Sequence, residues 1–253
     1  MTLTGNAHSI DAEQQAIRAI HEANGDRWWP DLDPVLEDNE LAEAYVRFAQ
    51  VAAAKGALSP KVRELVLLAV NASTTTLHEP SINRHIREAL HHGASREEIV
   101  EVFEVVSVLG IHSAHTGLPI LLDILSEEGL IESGPLDERR TAIKENYLKR
   151  RGMWGDALEA MLVLDPELVE AYLEFSSVPW ERGALSPALK ELLYVAIDAS
   201  VTHLYDHGTA AHMQRALAAG ATKEEIAGVL ALISTLGVHS LTSGFRLLKE
   251  IGA

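Results

Sequence analysis

The feature that most constrains this chain is that it contains itself twice. "GALSPKVRELVLLAV" from Gly56 to Val70 is answered by "GALSPALKELLYVAI" from Gly183 to Ile197. The register then runs without a gap through "HHGASREEIVEVFEVVSVLGIHSAHTG" and "AAGATKEEIAGVLALISTLGVHSLTSG". Roughly two-fifths of the aligned positions are identical, so the chain is a tandem duplication, and whatever one copy folds into the other must fold into as well. Glu43-Ala44-Tyr45 and Glu170-Ala171-Tyr172 extend the match upstream, and Gly134-Pro135 breaks the chain between the copies, which sets the repeats at 1–133 and 134–253.

Each copy reads as helix throughout. Ser59-Pro60 and Ser186-Pro187 are an N-cap followed by proline at the first helical position, and the apolar residues that follow are dense enough for a buried helix. Pro80 and Gly208 interrupt the next segment, which ends at Gly93 or Gly220. Ser95-x-x-Glu98 and Thr222-x-x-Glu225 are capping boxes opening a long helix that carries His112 or His239. Along it Ser107, Gly110, Ser113 and Gly117, and in the second copy Ser234, Gly237, Ser240 and Gly244, form a stripe of small residues, expected to let another helix approach closely. No alternation of strand type competes, so the fold class is all-α.

Composition narrows the chemistry. Against 21 basic residues stand 37 acidic ones, a net charge of −16, which disfavours nucleic acid and anionic membranes as partners. There is no cysteine, so disulfides, thiolate metal sites and thiol chemistry are excluded. The N-terminus lacks the pattern of a signal peptide, and no apolar run approaches the ~20 residues of a membrane span; the expectation is a cytoplasmic protein.

The order of "LSP-x-x-x-E-L" helix, polar turn ending in His, "G-A-[ST]-x-E-E-I" capping box and small-residue helix resembles the carboxymuconolactone decarboxylase family, the AhpD-like superfamily. The resemblance covers both repeats, from about Glu40 to Ala253. It implies an AhpD-like helical fold and assembly of units, so a dimer or trimer of two-repeat chains is expected. The peroxidase branch of that family uses a Glu, a C-x-x-C and a His. Glu64 and His85, or Glu191 and His212, match the outer two, but "TTTLHEPSIN" and "VTHLYDHGTA" between them hold no cysteine. The decarboxylase branch, acting on a small unsaturated lactone acid, needs none.

The candidate catalytic groups are therefore Glu64, His85 and His112 in the first copy and Glu191, His212 and His239 in the second. A carboxylate in an apolar helix suits acid–base work, and two imidazoles beside it could carry a proton from one substrate atom to another. His203, Tyr205, His207, Arg84 and Arg215 are candidates for substrate binding, the arginines for a substrate carboxylate. The second copy, with small residues from Gly208 to Ala211 beside these, is expected to have the richer pocket. Trp28, Trp29 and Trp154 read as a pocket wall or as core packing. No cofactor is expected; the alternative is a divalent metal on Glu191, His212 and His239. The leading expectation is a cofactor-independent lyase, decarboxylase or lactonase in type, acting on a small-molecule substrate. A non-catalytic binding protein on the same fold and a metal-dependent hydrolase or lyase are the alternatives.

Overall fold

The computed structural model describes residues 4–23, 26–54, 58–131 and 134–252, the side chains of 4–11 excepted. Among these residues there is no strand. The order is α1 (Thr4–Glu22), a 3-10 helix η1 (Pro30–Glu37), α2 (Asn39–Ala54), α3 (Pro60–Ala72), α4 (Glu79–His91), α5 (Arg96–Ser107), η2 (Val108–Ile111) and α6 (His112–Glu127). The second copy follows with α7 (Glu138–Arg151), α8 (Asp156–Leu164), α9 (Pro166–Glu181), α10 (Pro187–Asp198), α11 (Asp206–Ala218), α12 (Lys223–Ile233), η3 (Ser234–Gly237) and α13 (Val238–Glu250).

The helix starts lie where their chemistry places them. Ser59 and Ser186 accept from the backbone N–H of Val62 and Leu189, ahead of Pro60 and Pro187. In both capping boxes the hydroxyl and the glutamate reciprocate: Ser95 with Glu98 at 3.1 and 2.7 Å, Thr222 with Glu225 at 3.1 and 2.8 Å. The long helix expected after each box is instead broken by a 3-10 turn just before its histidine. Ser107 donates to the carbonyl of Glu104, Ser234 to that of Ala231 and Thr235 to that of Leu232, and hydroxyls bonded back in this way tighten the local winding. Among the described residues, a Cβ built on Gly110, Gly117, Gly237 or Gly244 would meet nothing within 4 Å, so no close helix approach rests on these glycines there. Within 96–127 and 223–250 the most apolar 18-residue windows have mean hydropathies of 1.5 and 1.6, long and apolar enough for a membrane span by length and composition only, a signature that core helices share.

Packing does not follow the repeat boundary. One compact unit comprises residues 1–102 and 186–253, the other 103–185. In the first unit α13 of the second copy packs on η1 of the first, and Val238 and Leu241 join Ile17, Val35, Leu36, Ala42 and Val46 in one core. Its α3 and α10 also pack together, and Thr202 bonds Thr75 and Thr76 at 3.3 and 3.1 Å. In the second unit α6 of the first copy packs on α8 of the second. There Ile111, Ala114 and Leu118 pack against Tyr147, Leu158, Met161 and Leu162.

Candidate active site

The first unit contains a cavity of about 110 Å³ into which both copies project. From α3 come Arg63, Glu64, Leu67 and Asn71; from α4, Arg84, His85 and Glu88; from α2, Tyr45, Ala49 and Ala53. The second copy adds His239 at the start of α13, with Leu232, Thr235 and Leu236.

The centre is a carboxylate–imidazole dyad. Position 64 falls one turn into α3 and position 85 in the second turn of α4, and the two helices pack together, so His85 Nδ1 lies 2.8 Å from Glu64 Oε2. Both are almost fully buried, at 5% and 7% exposure. Burial alone would push Glu64 up, but the hydrogen bond and charge of His85 and the charges of Arg84 and Arg63 hold it below the usual carboxylate range. Burial, with Arg84, lowers His85 against the pull of Glu64. At neutral pH the pair is thus an ionised Glu64 accepting from the Nδ1–H of a neutral imidazole, which leaves Nε2 as the base. Arg84, 3.4 Å from that Nε2, is anchored to Asp31 at 2.7 Å.

His239 supplies the second imidazole. Its Nε2 is 3.2 Å from Ser81 Oγ, its ring stacks on His78 at 4.0 Å, and burial first, then the neighbouring His78, Arg84 and His85, lower it to about 3. Burial raises Tyr45, keeping its phenol a neutral donor; Thr235 is its hydrogen-bond partner. Arg63 bonds Asp26 at 3.3 Å, while Trp29 and Arg27 each donate to Glu88 at 2.8 Å, so the wall carries its charges in pairs.

Several expectations change. The trio of Glu191, His212 and His239 does not assemble: the packing of α13 on η1 puts His239 with Glu64 and His85 of the other copy. The same displacement divides the alternative metal set of those three residues. Glu191 and His212 do form their own dyad at 2.6 Å, but its imidazole is engaged by neighbouring side chains. Tyr194 stacks on His212 at 4.4 Å, Arg215 reaches both ring nitrogens at 2.8 and 3.2 Å as well as Glu191, and Asp198 lies 3.8 Å from Nε2. Arg215 is thus engaged with the dyad rather than held for a substrate carboxylate. Leu67 and Glu88 occupy the places of Tyr194 and Arg215 in the first copy, and the cavity lies beside that dyad.

The small residue expected to make room in the second copy does something else. A Cβ on Gly208 would fall 2.0 Å from Asp198 Oδ2 and 2.4 Å from the Tyr205 ring, so Gly208 admits its own neighbours. His203 is 4.0 Å from Asp198, and His207 is exposed on α11. Asp198 itself is pushed up to about 8, by burial first. His112 belongs to the second unit, where its ring lies 5.9 Å from that of His115. Of the tryptophans, Trp29 is a cavity wall, while Trp28 and Trp154 pack against the two cores. Sequence reasoning missed Asp31, Arg63, Ser81 and Glu88. Tyr45 was visible only as a marker of the duplication.

Comparison with known proteins bears on the family and the fold. The model of the carboxymuconolactone decarboxylase family matches residues 39–114 and 166–250. A solved structure from Burkholderia xenovorans, described as a candidate gamma-carboxymuconolactone decarboxylase subunit, is 43% identical with a TM-score of 0.88. The match covers 94% of this chain and 96% of that one. No curated protein matches the chain. The duplicated helical fold and the two matched repeats together place the chain in the carboxymuconolactone decarboxylase family.

Proposed function

We propose that the chain is a cofactor-independent acid–base enzyme acting on a small carboxylated lactone, and that the reaction runs in the cavity of Glu64, His85 and His239. The observation that carries this reading is the meeting of a buried Glu–His dyad, a second neutral imidazole and two arginines around one small cavity. When a carboxylate on the saturated γ-carbon of an α,β-unsaturated lactone is lost, the C–C bond breaks and its electron pair passes through the double bond to the carbonyl oxygen. CO2 leaves, and the resulting dienolate needs a donor at oxygen and a proton at carbon. Arg63 and Arg84 hold the substrate anion, Tyr45 donates to the developing oxyanion, and an imidazole supplies the proton. Lactone opening and isomerisation draw on the same groups. Thiol peroxidase chemistry is excluded by the absence of any cysteine.

The engagement of the His212 ring by Tyr194 and Arg215, against a cavity beside the Glu64–His85 dyad, supports one working centre per chain. The test is CO2 release from a panel of carboxylated butenolides, with calorimetry to count ligands. Turnover at one bound ligand per chain is expected; two equal sites, or binding without turnover, would refute it. A homo-oligomer is part of the proposal: Phe48, Val51 and Leu90, and their counterparts Phe175, Val178 and Leu217, are exposed at equivalent places in both copies. Light scattering reads the assembly directly.

A further inference from the structure

We propose that His78, Ser81 and His239 form a proton relay that resupplies the cavity from solvent. The inference rests on the reading above, because decarboxylation consumes one proton per turnover: a carboxylate plus H+ becomes a C–H bond and CO2. Glu64 and His85 are buried, so the proton they or His239 surrender must be replaced through the protein.

Ser81, 1% exposed in the first turn of α4, is placed to do this. Its Oγ lies 2.8 Å from His78 Nδ1 and 3.2 Å from His239 Nε2, and Arg84 donates to it from 3.5 Å. The hydroxyl therefore accepts from one ring and donates to the other. The two rings, stacked at 4.0 Å and 18°, are held for that exchange. His239 lines the cavity; His78, at the N-cap of α4, is only half-buried. Both imidazoles lie below their ordinary value, burial being the first cause, which keeps them neutral, the form in which one ring nitrogen accepts while the other donates. In one cycle His239 releases the proton on Nδ1 and takes the Ser81 hydroxyl proton on Nε2. Ser81 takes the Nδ1 proton of His78, His78 regains a proton on Nε2 from water, and both rings return to the starting tautomer by exchange with water before the next turnover. The second copy has Tyr205 and Gly208 in place of His78 and Ser81, so it lacks both the ring nitrogen and the hydroxyl. The relay thus accompanies the dyad beside the cavity and is missing from the other.

The experiment compares wild type, Ser81→Ala and Ser81→Thr on 5-oxo-2,5-dihydrofuran-2-carboxylate, following CO2. For Ser81→Ala the expected result is a fall in kcat of about 10-fold or more, with KM within about twofold. Added imidazole restores the rate, and Ser81→Thr keeps it. A wild-type rate in Ser81→Ala, or a loss that imidazole leaves untouched, overturns the relay. If wild type does not decarboxylate this probe, the substrate class fails by itself. The relay is then read by 15N NMR as exchange of the His239 ring proton with water. A relay predicts slower exchange in Ser81→Ala; a hydroxyl that merely protects the ring predicts faster exchange, which overturns it.

Discussion

Glu64→Gln keeps the shape of the dyad and removes its charge, since the glutamine carbonyl can still accept from His85 Nδ1 at the present 2.8 Å. What is lost is the field that stabilises the imidazolium formed when His85 Nε2, the free base of the dyad, takes up the proton that it then delivers to the dienolate carbon. Two unit charges about 4 Å apart interact by about 4 kcal/mol at an effective dielectric of ~20. Arg63 and Arg84 oppose the same imidazolium, so roughly 2–3 kcal/mol of that is realised, on the order of 10²-fold in rate. Steady-state CO2 release, with circular dichroism to confirm the fold, should show kcat down by that amount and the melting temperature nearly unchanged. Glu191→Gln, in the dyad engaged by Tyr194 and Arg215, should leave kcat within about twofold, well under the 1.4 kcal/mol of a tenfold change. Near-wild-type turnover in Glu64→Gln, or an equal loss in a stably folded Glu191→Gln, would refute the assignment of the working centre.

Acid should weaken the fold through His239. Its value of about 3 against 6.5 in the unfolded chain means that only the unfolded chain takes up the proton between those limits, so stability falls as pH drops from 6.5 towards 3. His239→Gln should flatten that slope in a pH series of melting curves. Lys190→Met should cost about 3–5 kcal/mol in denaturant unfolding by leaving Glu101 charged and buried opposite it, 2.5 Å from the present ammonium. The double variant Lys190→Met/Glu101→Leu should recover most of the loss. A fragment of residues 1–133 should expose the η1 and α2 core that Val238 covers, and should aggregate or remain partly unfolded unless residues 134–253 are supplied in trans.

What the sequence made legible was local. Caps, helix starts, the duplication and the dyad partners all follow from spacing within one copy, because a hydroxyl three residues from a glutamate, or two helices joined by a short turn, leave few alternatives. What it concealed was which copy each element would serve. His112 and His239 occupy the same place in the repeat, and nothing in the pattern says that the helix of His239 crosses to η1 of the first copy. Nor could the position of a glycine tell its purpose: Gly208 looked like room for a ligand and proves to be room for Asp198.

The crossing has a consequence for how the copies diverged. Because His239 lines the first copy's cavity, substitutions around the Glu191–His212 dyad do not touch the helix that completes the other. Leu67 answers Tyr194, Glu88 answers Arg215 and Ser81 answers Gly208, and each of these differences falls beside the cavity of the first dyad or among the side chains around the second. Under the proposed function, an intertwined duplication lets one copy become scaffold while still lending its last helix to the cavity of the other. That is why equal retention of Glu and His in both copies was not evidence of equal roles.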